Sequence, residues 1–372
     1  MRSIKCERDS ILRTQRNAVQ LAADTQTFRR DRGSRDTGMA SDSVQSDATA
    51  ASADPLDPQI RRFVDELAQA WARYPATDTL TIPEMRRIAE EIRAPWRQGG
   101  PQMASTREHL VPTAQGDVRV RVYRPASGAV ALPALIYLHG GGWTMFSLNT
   151  HDRLMRELAA RAGVVVVGVD YALSPEAKFP FALRQIEGVA RWLAANGGEW
   201  SIDTARIAIG GDSAGANLAV ATALALRDSG APGLLRGLLL HYGCFTSESS
   251  QQAISGFGAP GNLLTSSEMA AFWTNYLADP DDARDPLAAP LRARLEGLPP
   301  ALLISAQCDV LAEQSIAFAE RLRAAGVAVA HKEYPGATHS FLEAVSIAAV
   351  ARRALGDGAA WLCERLDPAA AA

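Results

Sequence analysis

The amino-acid sequence predicts an α/β fold in which helices cover both faces of a mostly parallel sheet. Short apolar runs alternate with helix-length segments between residues 134 and 365. The runs are apolar at almost every position, as in 164–169 (VVVVGV), which is typical of strands buried on both faces. The length of 372 residues suits one large domain of this class with a small added subdomain, or two modest domains.

The N-terminal part of the chain divides into three segments. Residues 1–53 are polar and poor in large apolar side chains, so we expect them to be disordered, with Met39 as an alternative start of the protein. In residues 54–100 apolar side chains recur at helical spacing, and we predict two helices that contribute to a cap. Residues 117–123 alternate valine with arginine, which indicates a half-buried strand.

Strands and helices then alternate through a main domain that we expect to span residues 101–372. The predicted strands are Ala134–Leu138, Val164–Val169, Arg206–Ile209, Leu238–Tyr242, Ala301–Ser305 and Val327–Tyr334. The predicted helices are Asp152–Ala162, Phe181–Asn196, Ala214–Asp228, Leu311–Ala325 and Ser346–Arg365. The alternation breaks at about 245–299, which contains one helical segment, Ser266–Leu277, and we interpret this stretch as an insertion that joins the cap.

Composition excludes several classes of partner. A net charge of -3, with 47% hydrophobic and 21% charged residues, is ordinary for a soluble globular protein and gives no reason to expect nucleic acid or an anionic membrane as partner. No apolar run is long enough to cross a membrane, and the first residues do not resemble a secretory signal, so we predict a cytoplasmic location. The four cysteines have no metal-type spacing, and we expect neither a metal nor an organic cofactor.

The strongest local signal is the G-x-S-x-G motif at Gly211–Gly215. It directly follows the apolar run ending at Gly210 and directly precedes a predicted helix, which is the context that a nucleophile elbow requires. The sharp reversal exposes the hydroxyl of Ser213, and the start of the helix supplies free backbone N–H groups beside it. We therefore predict that Ser213 is a nucleophile and not a serine in an ordinary tight turn.

A second motif, His139-Gly140-Gly141-Gly142-Trp143, directly follows the strand Ala134–Leu138. Consecutive glycines carry a high ordering cost in a helix or strand, but they suit a loop whose backbone N–H groups converge on a ligand atom. A glycine-rich loop alone indicates flexibility. Together with a nucleophile elbow it predicts an oxyanion hole, with His139 and Gly140 supporting the loop.

A serine nucleophile needs a general base and a carboxylate that holds the base in place. His339 is the best placed of the six histidines, because it lies in a loop between the last predicted strand and the final helix. Asp309 follows the strand Ala301–Ser305, where it could also simply cap a helix. The competing carboxylates are Asp285, which lies too far before that strand, and Glu313, which lies inside a helix.

The remaining candidates are assigned supporting roles. Asp212 is adjacent to the nucleophile but is expected to point away from its hydroxyl, as a structural polar anchor. A surface or core role is expected for the other histidines, which are His109, His151, His241 and His331.

The chain order Ser213, Asp309, His339 is the order of α/β-hydrolases, and each residue follows a strand, so a parallel sheet would bring all three to its carboxyl edge.

At this point the ordered motifs resemble the hormone-sensitive-lipase-like family of α/β-hydrolases, and most closely its bacterial acetyl esterases. The resemblance covers roughly residues 105–365 and rests on five segments, HGGGW, VDYALSPEAKFP, GDSAGAN, CDVL and GATHSF. It departs from the family at Asp309-Val310-Leu311, where a proline often follows the aspartate, and in the segment HYGCFTSESS that starts at His241.

The resemblance implies an α/β-hydrolase fold with a mostly parallel eight-stranded sheet and a small helical cap. It implies a catalytic triad of Ser213, Asp309 and His339, with backbone N–H groups of Gly141, Gly142 and Ala214 as oxyanion donors. It also implies that the substrates are small carboxylic esters with short acyl chains. The oligomeric state stays open, with a homodimer among the alternatives.

Two other functions are consistent with these residues. The same triad and oxyanion hole can serve a hydrolase of amides, formamides, thioesters or lactones, because the fold does not choose among acyl bonds. A non-catalytic binding protein could also keep the fold, but such a protein should lack a member of the triad, and none is missing here.

Overall fold

An eight-stranded sheet forms the centre of the structure, a computed structural model that describes residues 54–127 and 129–367. The predictions made for residues 1–53 lie outside the described residues. The strands are β1 (Ser105–Thr113), β2 (Gly116–Arg124), β3 (Leu132–Leu138), β4 (Val165–Val169), β5 (Ile202–Asp212), β6 (Leu238–His241), β7 (Ala301–Cys308) and β8 (Val329–Thr338).

The strand order is β1-β2-β4-β3-β5-β6-β7-β8. β2 is antiparallel to both of its neighbours, and every pair from β4 to β8 is parallel. β3 pairs with β5 as far as Leu138 and Gly211, so the loops that follow these two strands begin side by side. The predicted α/β fold with a mostly parallel eight-stranded sheet is confirmed.

Helices cover both faces of this sheet. They are α1 (Pro58–Trp71), α2 (Ile82–Arg93), α3 (Asp152–Ala162), α4 (Phe181–Asn196), α5 (Ala214–Asp228), α6 (Gln251–Phe257), α7 (Ser266–Tyr276), α8 (Ala312–Ala324) and α9 (Ala349–Leu366). Short 3-10 turns lie at Thr77–Thr79, Gly197–Trp200, Pro280–Arg284, Pro290–Arg292 and Phe341–Ser346. None of the helices in this part of the chain has the length and apolar character that crossing a membrane requires.

The apolar runs form strands because each face of the sheet has its own core. Val165, Val167 and Val169 belong to the core on one face, and Val164 and Val166 belong to the core on the other. Successive side chains of a strand point in opposite directions, so a strand covered on both faces must be apolar at every position. The helices α4, α5 and α8 contribute to the first core, and α1, α3 and α9 contribute to the second.

Local capping signals fix where three of the helices begin. α2 starts with a capping box between Thr81 and Glu84, and α7 starts with one between Thr265 and Glu268. The Asp57 side chain accepts from the backbone N–H of Gln59 and caps α1. Each reciprocal pair satisfies N–H groups that the first turn of a helix leaves free.

The structure adds elements that the sequence pattern did not predict. β1 was missed because it is an edge strand with exposed polar residues, and α6 was missed because none of its residues is buried. β7 runs to Cys308 and β8 runs to Thr338, several residues beyond the predicted ends. These longer strands bring Asp309 and His339 directly to the carboxyl edge of the sheet.

Candidate active site

The turn between β5 and α5 holds Ser213 in a strained conformation. Its φ is 53° and its ψ is -119°, a region in which a non-glycine residue costs on the order of 1–3 kcal/mol. Close packing enforces the turn, because a Cβ on Gly215 would lie 2.0 Å from the carbonyl oxygen of Leu138. The sharp reversal therefore places the Ser213 hydroxyl at the end of β5, beside the first backbone N–H groups of α5.

The structure brings Ser213, Asp309 and His339 together at the carboxyl edge of the sheet. Nε2 of His339 lies 3.0 Å from Oγ of Ser213, and Nδ1 of His339 lies 2.7 Å from Oδ2 of Asp309. All three side chains are buried. A carboxylate at Nδ1 favours the tautomer with the proton on Nδ1, which leaves Nε2 free to accept the hydroxyl proton of the serine.

Of the two roles considered for Asp309, the structure shows the contact with His339 but not a helix cap, because the N-cap of α8 is Leu311. Its Oδ2 contacts His339, and its Oδ1 accepts from the backbone N–H of Leu311 at 2.9 Å, in the turn that leads into α8. The two competing carboxylates are engaged elsewhere. Asp285 accepts from the backbone N–H of Leu287, and Glu313 accepts from Ser250.

The surroundings of His339 suit a general base that must carry a positive charge during part of the reaction. Burial alone would lower the pKa of His339, because it disfavours the imidazolium. The charge of Asp309 and its hydrogen bond outweigh that effect, and the pKa of His339 is raised above its ordinary value. The carboxylate thus stabilises the imidazolium form of His339.

The glycine-rich loop after β3 lies beside Ser213. The φ angles of Gly141 and Gly142 are 110° and 58°, which glycine adopts without strain. Within the described residues, no acceptor binds the backbone N–H groups of Gly141, Gly142 or Ala214. Gly141, Gly142 and Ser213 line the same cavity, so the glycine loop and the serine belong to one site.

Asp212 ties this loop to the nucleophile elbow. Its Oδ1 accepts from the Tyr137 hydroxyl at 2.8 Å and from the Gly140 backbone N–H at 3.1 Å. Its Oδ2 lies 3.3 Å from Nε2 of His151. The carboxylate of Asp212 therefore contacts three different segments and makes no bond to the Ser213 hydroxyl, in line with a structural anchor.

Asp212 and His151 form a buried ion pair. Burial would raise the pKa of Asp212, but the charge and hydrogen bond of His151 outweigh it and lower the pKa to about 2. Burial would lower the pKa of His151, and the charge of Asp212 reverses that effect and raises it. No sequence pattern indicates this pair, because Asp212 ends β5, His151 lies in a distant loop and His151 belongs to no motif.

His139 supports the glycine loop from its first position. Nδ1 of His139 lies 2.8 Å from the Gly140 carbonyl oxygen, and its ring stacks on Tyr171 with ring centres 4.5 Å apart. Burial, together with the charge of His151 nearby, lowers the pKa of His139 to about 4. His139 is therefore neutral at physiological pH and acts on the loop through packing and hydrogen bonds.

The other histidines lie away from the Ser213 hydroxyl. The ring of His109 stacks on that of Trp200, and Nε2 of His331 forms a hydrogen bond of 2.7 Å with the Ser305 hydroxyl. His241 is completely buried, and burial lowers its pKa to about 4. Among the described residues, no group of three His, Cys, Asp or Glu side chains is arranged to hold a metal ion.

A cavity of about 650 Å³ opens onto Ser213 and His339. One wall comes from the N-terminal helices, with Val64, Leu67 and Met85, and the opposite wall comes from α7, with Met269 and Phe272. The ring of Phe272 occupies the space in which a Cβ of residue 142 would lie, at 2.2 Å from the nearest ring carbon. The cavity is therefore narrow beside the glycine loop and mainly apolar beyond it.

Trp273 lies in the core instead of the cavity. Its ring packs 4.8 Å from that of Trp143, which in turn stacks on Tyr276 at 4.1 Å. These contacts fasten α7 to the residue that ends the HGGGW motif. The two neighbouring aromatic residues of α7 thus differ in role, since Phe272 lines the cavity and Trp273 anchors the helix.

Known proteins share this fold and much of this sequence. A family profile described as the α/β-hydrolase fold matches residues 135–343. A hyperthermophilic esterase from the archaeon Pyrobaculum calidifontis is 35% identical, with a TM-score of 0.78 over 83% of this chain and 98% of that chain.

Two further solved structures point to the same family. A thermostable carboxylesterase cloned from a metagenomic library is 34% identical, with a TM-score of 0.75 over 79% of this chain and 100% of that chain. A thermostable esterase from Pseudomonas putida is 31% identical, with a TM-score of 0.78 over 84% of this chain and 98% of that chain. Each of these three proteins is described as an esterase, and each is matched over nearly its whole length.

Proposed function

Because the chain belongs to the hormone-sensitive-lipase-like family of α/β-hydrolases, we propose that it acts as a serine esterase on small carboxylic esters with short, acetyl-type acyl chains. The class of enzyme, a carboxylic-ester hydrolase, is that of the solved relatives. The observation that carries the mechanism is the hydrogen-bonded chain from Asp309 through His339 to Ser213.

Acylation begins when Nε2 of His339 takes the proton of the Ser213 hydroxyl. Oγ of Ser213 then forms a bond to the ester carbonyl carbon, and the carbonyl oxygen becomes negatively charged. As this tetrahedral intermediate collapses, the bond to the alcohol oxygen breaks, and His339 gives its proton to the departing alcohol. The acyl group remains on Ser213.

Deacylation repeats the same steps with water as the nucleophile. His339 takes a proton from water, the hydroxide attacks the acyl carbon, and the proton returns to Oγ of Ser213 as the carboxylic acid leaves. Throughout the cycle Asp309 holds the tautomer of His339 and stabilises its imidazolium. Both halves of the reaction thus use one base and one carboxylate.

The oxyanion donors in this proposal are the backbone N–H groups of Gly141, Gly142 and Ala214. Two observations support this assignment. None of these N–H groups has an acceptor among the described residues, and the two glycines line the cavity together with Ser213. Removal of one oxyanion donor typically lowers turnover by about 10²–10³-fold. These donors belong to the backbone, so a substitution would act by displacing the loop.

Short acyl chains are supported by the position of Phe272. Its ring lies against Gly142 and limits the space beside the oxyanion donors. The wider, apolar part of the cavity, between the N-terminal helices and α7, is then available to the rest of the ester. In this proposal residues 54–100 and 245–299 together form the cap, with 101–372 as the catalytic domain.

A panel of acyl compounds tests the proposed function. p-Nitrophenyl esters from acetate to decanoate are compared with p-nitroanilides and thioesters of the same acyl groups, on the wild type, on Ser213→Ala and on Ser255→Ala as a matched change in an exposed helix. We expect the highest kcat/KM on short esters and no turnover above background in Ser213→Ala. A higher kcat/KM on anilides or thioesters would contradict the ester assignment.

The predictions of a cytoplasmic location and of no nucleic-acid partner rest on the sequence alone, and they stay predictions. The assembly of the protein as a homodimer likewise stays open.

A further inference from the structure

The cavity contains one arginine that the ester mechanism does not use. Arg93, the last residue of α2, is 6% exposed and lines the same cavity as Ser213 and His339. A buried guanidinium carries five N–H donors and needs acceptors for them, so its partners decide what it does.

Its protein partners leave these donors largely unused. Nε of Arg93 lies 2.9 Å from Oε2 of Glu343, but neither atom has a partner in hydrogen-bond geometry. The guanidinium carbon lies 4.0 Å from the centre of the Phe146 ring. Across residues 54–127 and 129–367, no acceptor forms a hydrogen bond with the guanidinium. Arg93 is thus charge-balanced but not hydrogen-bonded.

A second unused donor lines the cavity as well. The hydroxyl of Thr144 is buried and has no hydrogen-bond partner among the described residues. Its backbone carbonyl, by contrast, accepts from Nε of Arg86 at 2.7 Å, which fixes this segment against α2. Arg93 and Thr144 thus both lack a hydrogen-bond acceptor among the described residues, but the Thr144 hydroxyl has almost no accessible surface, so Arg93 is the donor that the cavity offers.

The charges nearby favour a neutral acceptor over an anionic one. Glu343 balances the charge of Arg93 from outside the cavity lining, and the acidic side chains among the described residues that line the cavity are Asp78 and Glu268. A carboxylate on the substrate would enter surroundings that already hold more negative than positive charge. A ketone or second ester carbonyl would accept the N–H groups without that repulsion.

We propose that Arg93 forms a second polar subsite that binds a carbonyl oxygen of the substrate other than the one under attack. The preferred substrates are then esters that carry a second carbonyl group, such as keto esters and diesters. This inference rests on the proposed esterase function and specifies its substrate class. It makes Arg93 a specificity-determining residue, with no part in the proton transfers.

Matched substrate pairs test the subsite on each side of the scissile bond. On the acyl side, p-nitrophenyl levulinate is compared with p-nitrophenyl pentanoate, which has a methylene in place of the ketone. On the alcohol side, acetoxyacetone is compared with propyl acetate, and acid release is followed by titration. In p-nitrophenyl hemisuccinate a carboxylate replaces the acetyl group of levulinate, so this ester compares an anionic acceptor with the ketone on the acyl side.

The variants are Arg93→Lys, the double change Arg93→Met with Glu343→Gln, which leaves no unpaired charge, and Arg87→Met as a control at an exposed position of the same helix that pairs with Glu91. The measured quantity is the ratio of kcat/KM between the members of a pair. Intrinsic reactivity cancels when this ratio is compared between variants, and so does any loss of folded enzyme.

We expect the carbonyl preference in one of the two pairs to fall by about 10-fold or more in the double variant. A smaller fall is expected in Arg93→Lys, and no change is expected in Arg87→Met. Equal ratios in the wild type and the double variant, for both pairs, would overturn the proposal, as would an Arg93-dependent preference for hemisuccinate over levulinate. Failure of the esterase function would look different, because no ester would then be hydrolysed by the wild type.

Discussion

Two histidine–carboxylate pairs lie at the same edge of the sheet, and they differ in what they hold. His339 and Asp309 are 2.7 Å apart, and the free nitrogen of His339 contacts the Ser213 hydroxyl. His151 and Asp212 are 3.3 Å apart, and the carboxylate also accepts from the backbone N–H of Gly140. The first pair contacts the proposed nucleophile, and the second contacts the backbone of the glycine loop.

The comparison shows that residue type does not decide catalytic role. In both pairs a buried carboxylate raises the pKa of its histidine against the effect of burial. Only His339 directs a ring nitrogen at the serine, whereas Nδ1 of His151 lies 2.9 Å from the Thr150 hydroxyl. We therefore expect the first pair to control proton transfer and the second to control loop geometry.

Substitution of the two histidines should give the largest difference in kcat between the two pairs. We expect His339→Ala to lower kcat by about 10⁶-fold, because Ser213 loses its base. We expect His151→Gln to lower kcat by about 10-fold or less, since Asp212 keeps its bonds to Tyr137 and Gly140. Steady-state kinetics on p-nitrophenyl acetate measures both. Losses of similar size in the two variants would contradict the division of roles.

Substitution of the two carboxylates should give a smaller difference in kcat between the two pairs. Asp309→Asn keeps the shape but favours the wrong tautomer of His339, and we expect kcat to fall by about 10⁴-fold. Asp212→Asn should lower kcat by about 10²-fold at most, with KM little changed, because oxyanion contacts act on the transition state. If Asp212→Asn instead raised KM and left kcat unchanged, the carboxylate would not act through the oxyanion loop.

Stability should depend on the second pair in a defined pH window. The lowered pKa of Asp212 contributes stability above the pKa of the unfolded chain, about 3.9, and this contribution is lost as the pH falls towards 2. The raised pKa of His151 contributes stability below about 6.5, and this is lost as the pH rises through the folded value. The pair therefore stabilises the fold most between about pH 4 and 6.5.

Urea unfolding of the wild type and Asp212→Asn measures this contribution. We expect a difference of about 3–5 kcal/mol at pH 5.5, because the substitution breaks a buried ion pair. The difference should shrink at pH 9. A difference that does not vary with pH would show that the two side chains are not paired as ions.

The smallest expected effect is a shift in the pH dependence of kcat/KM. Because the pKa of His339 is raised, its imidazolium persists to higher pH, and activity should rise with a midpoint above about 6.5. Asp309→Asn should move the midpoint to lower pH, and Asp212→Asn should move it less. A wild-type midpoint below 6.5 would mean that burial outweighs the carboxylate.

The first pair could be predicted from the sequence, and the second could not. Ser213, Asp309 and His339 each follow a strand, and a parallel sheet brings such positions together whatever their separation in the chain. Asp212 was expected to be a polar anchor, but its partners could not be identified. Tyr137 lies within a strand and His151 lies in a loop without a motif, so only the folded chain shows that they meet.

Whether an element of the fold could be predicted depended on how much apolar surface it buries. Strands buried on both faces, such as β3 and β4, produce unmistakable apolar runs, and helices such as α3, α4 and α5 begin and end at the predicted residues. The edge strand β1 and the exposed helix α6 bury little surface, so no periodic pattern marks them. The position of Arg93 in the cavity depends on how α2 packs, which no local pattern encodes.

Covalent trapping of the nucleophile tests the central claim most directly. The wild type and Ser213→Ala are treated with a fluorophosphonate at an equimolar dose, digested, and analysed by mass spectrometry alongside residual esterase activity. We predict one adduct per chain on the peptide that contains Ser213, loss of activity in proportion to labelling, and no adduct in the alanine variant. Full ester hydrolysis without an adduct at Ser213, or an adduct on another serine that abolishes activity, would contradict the account.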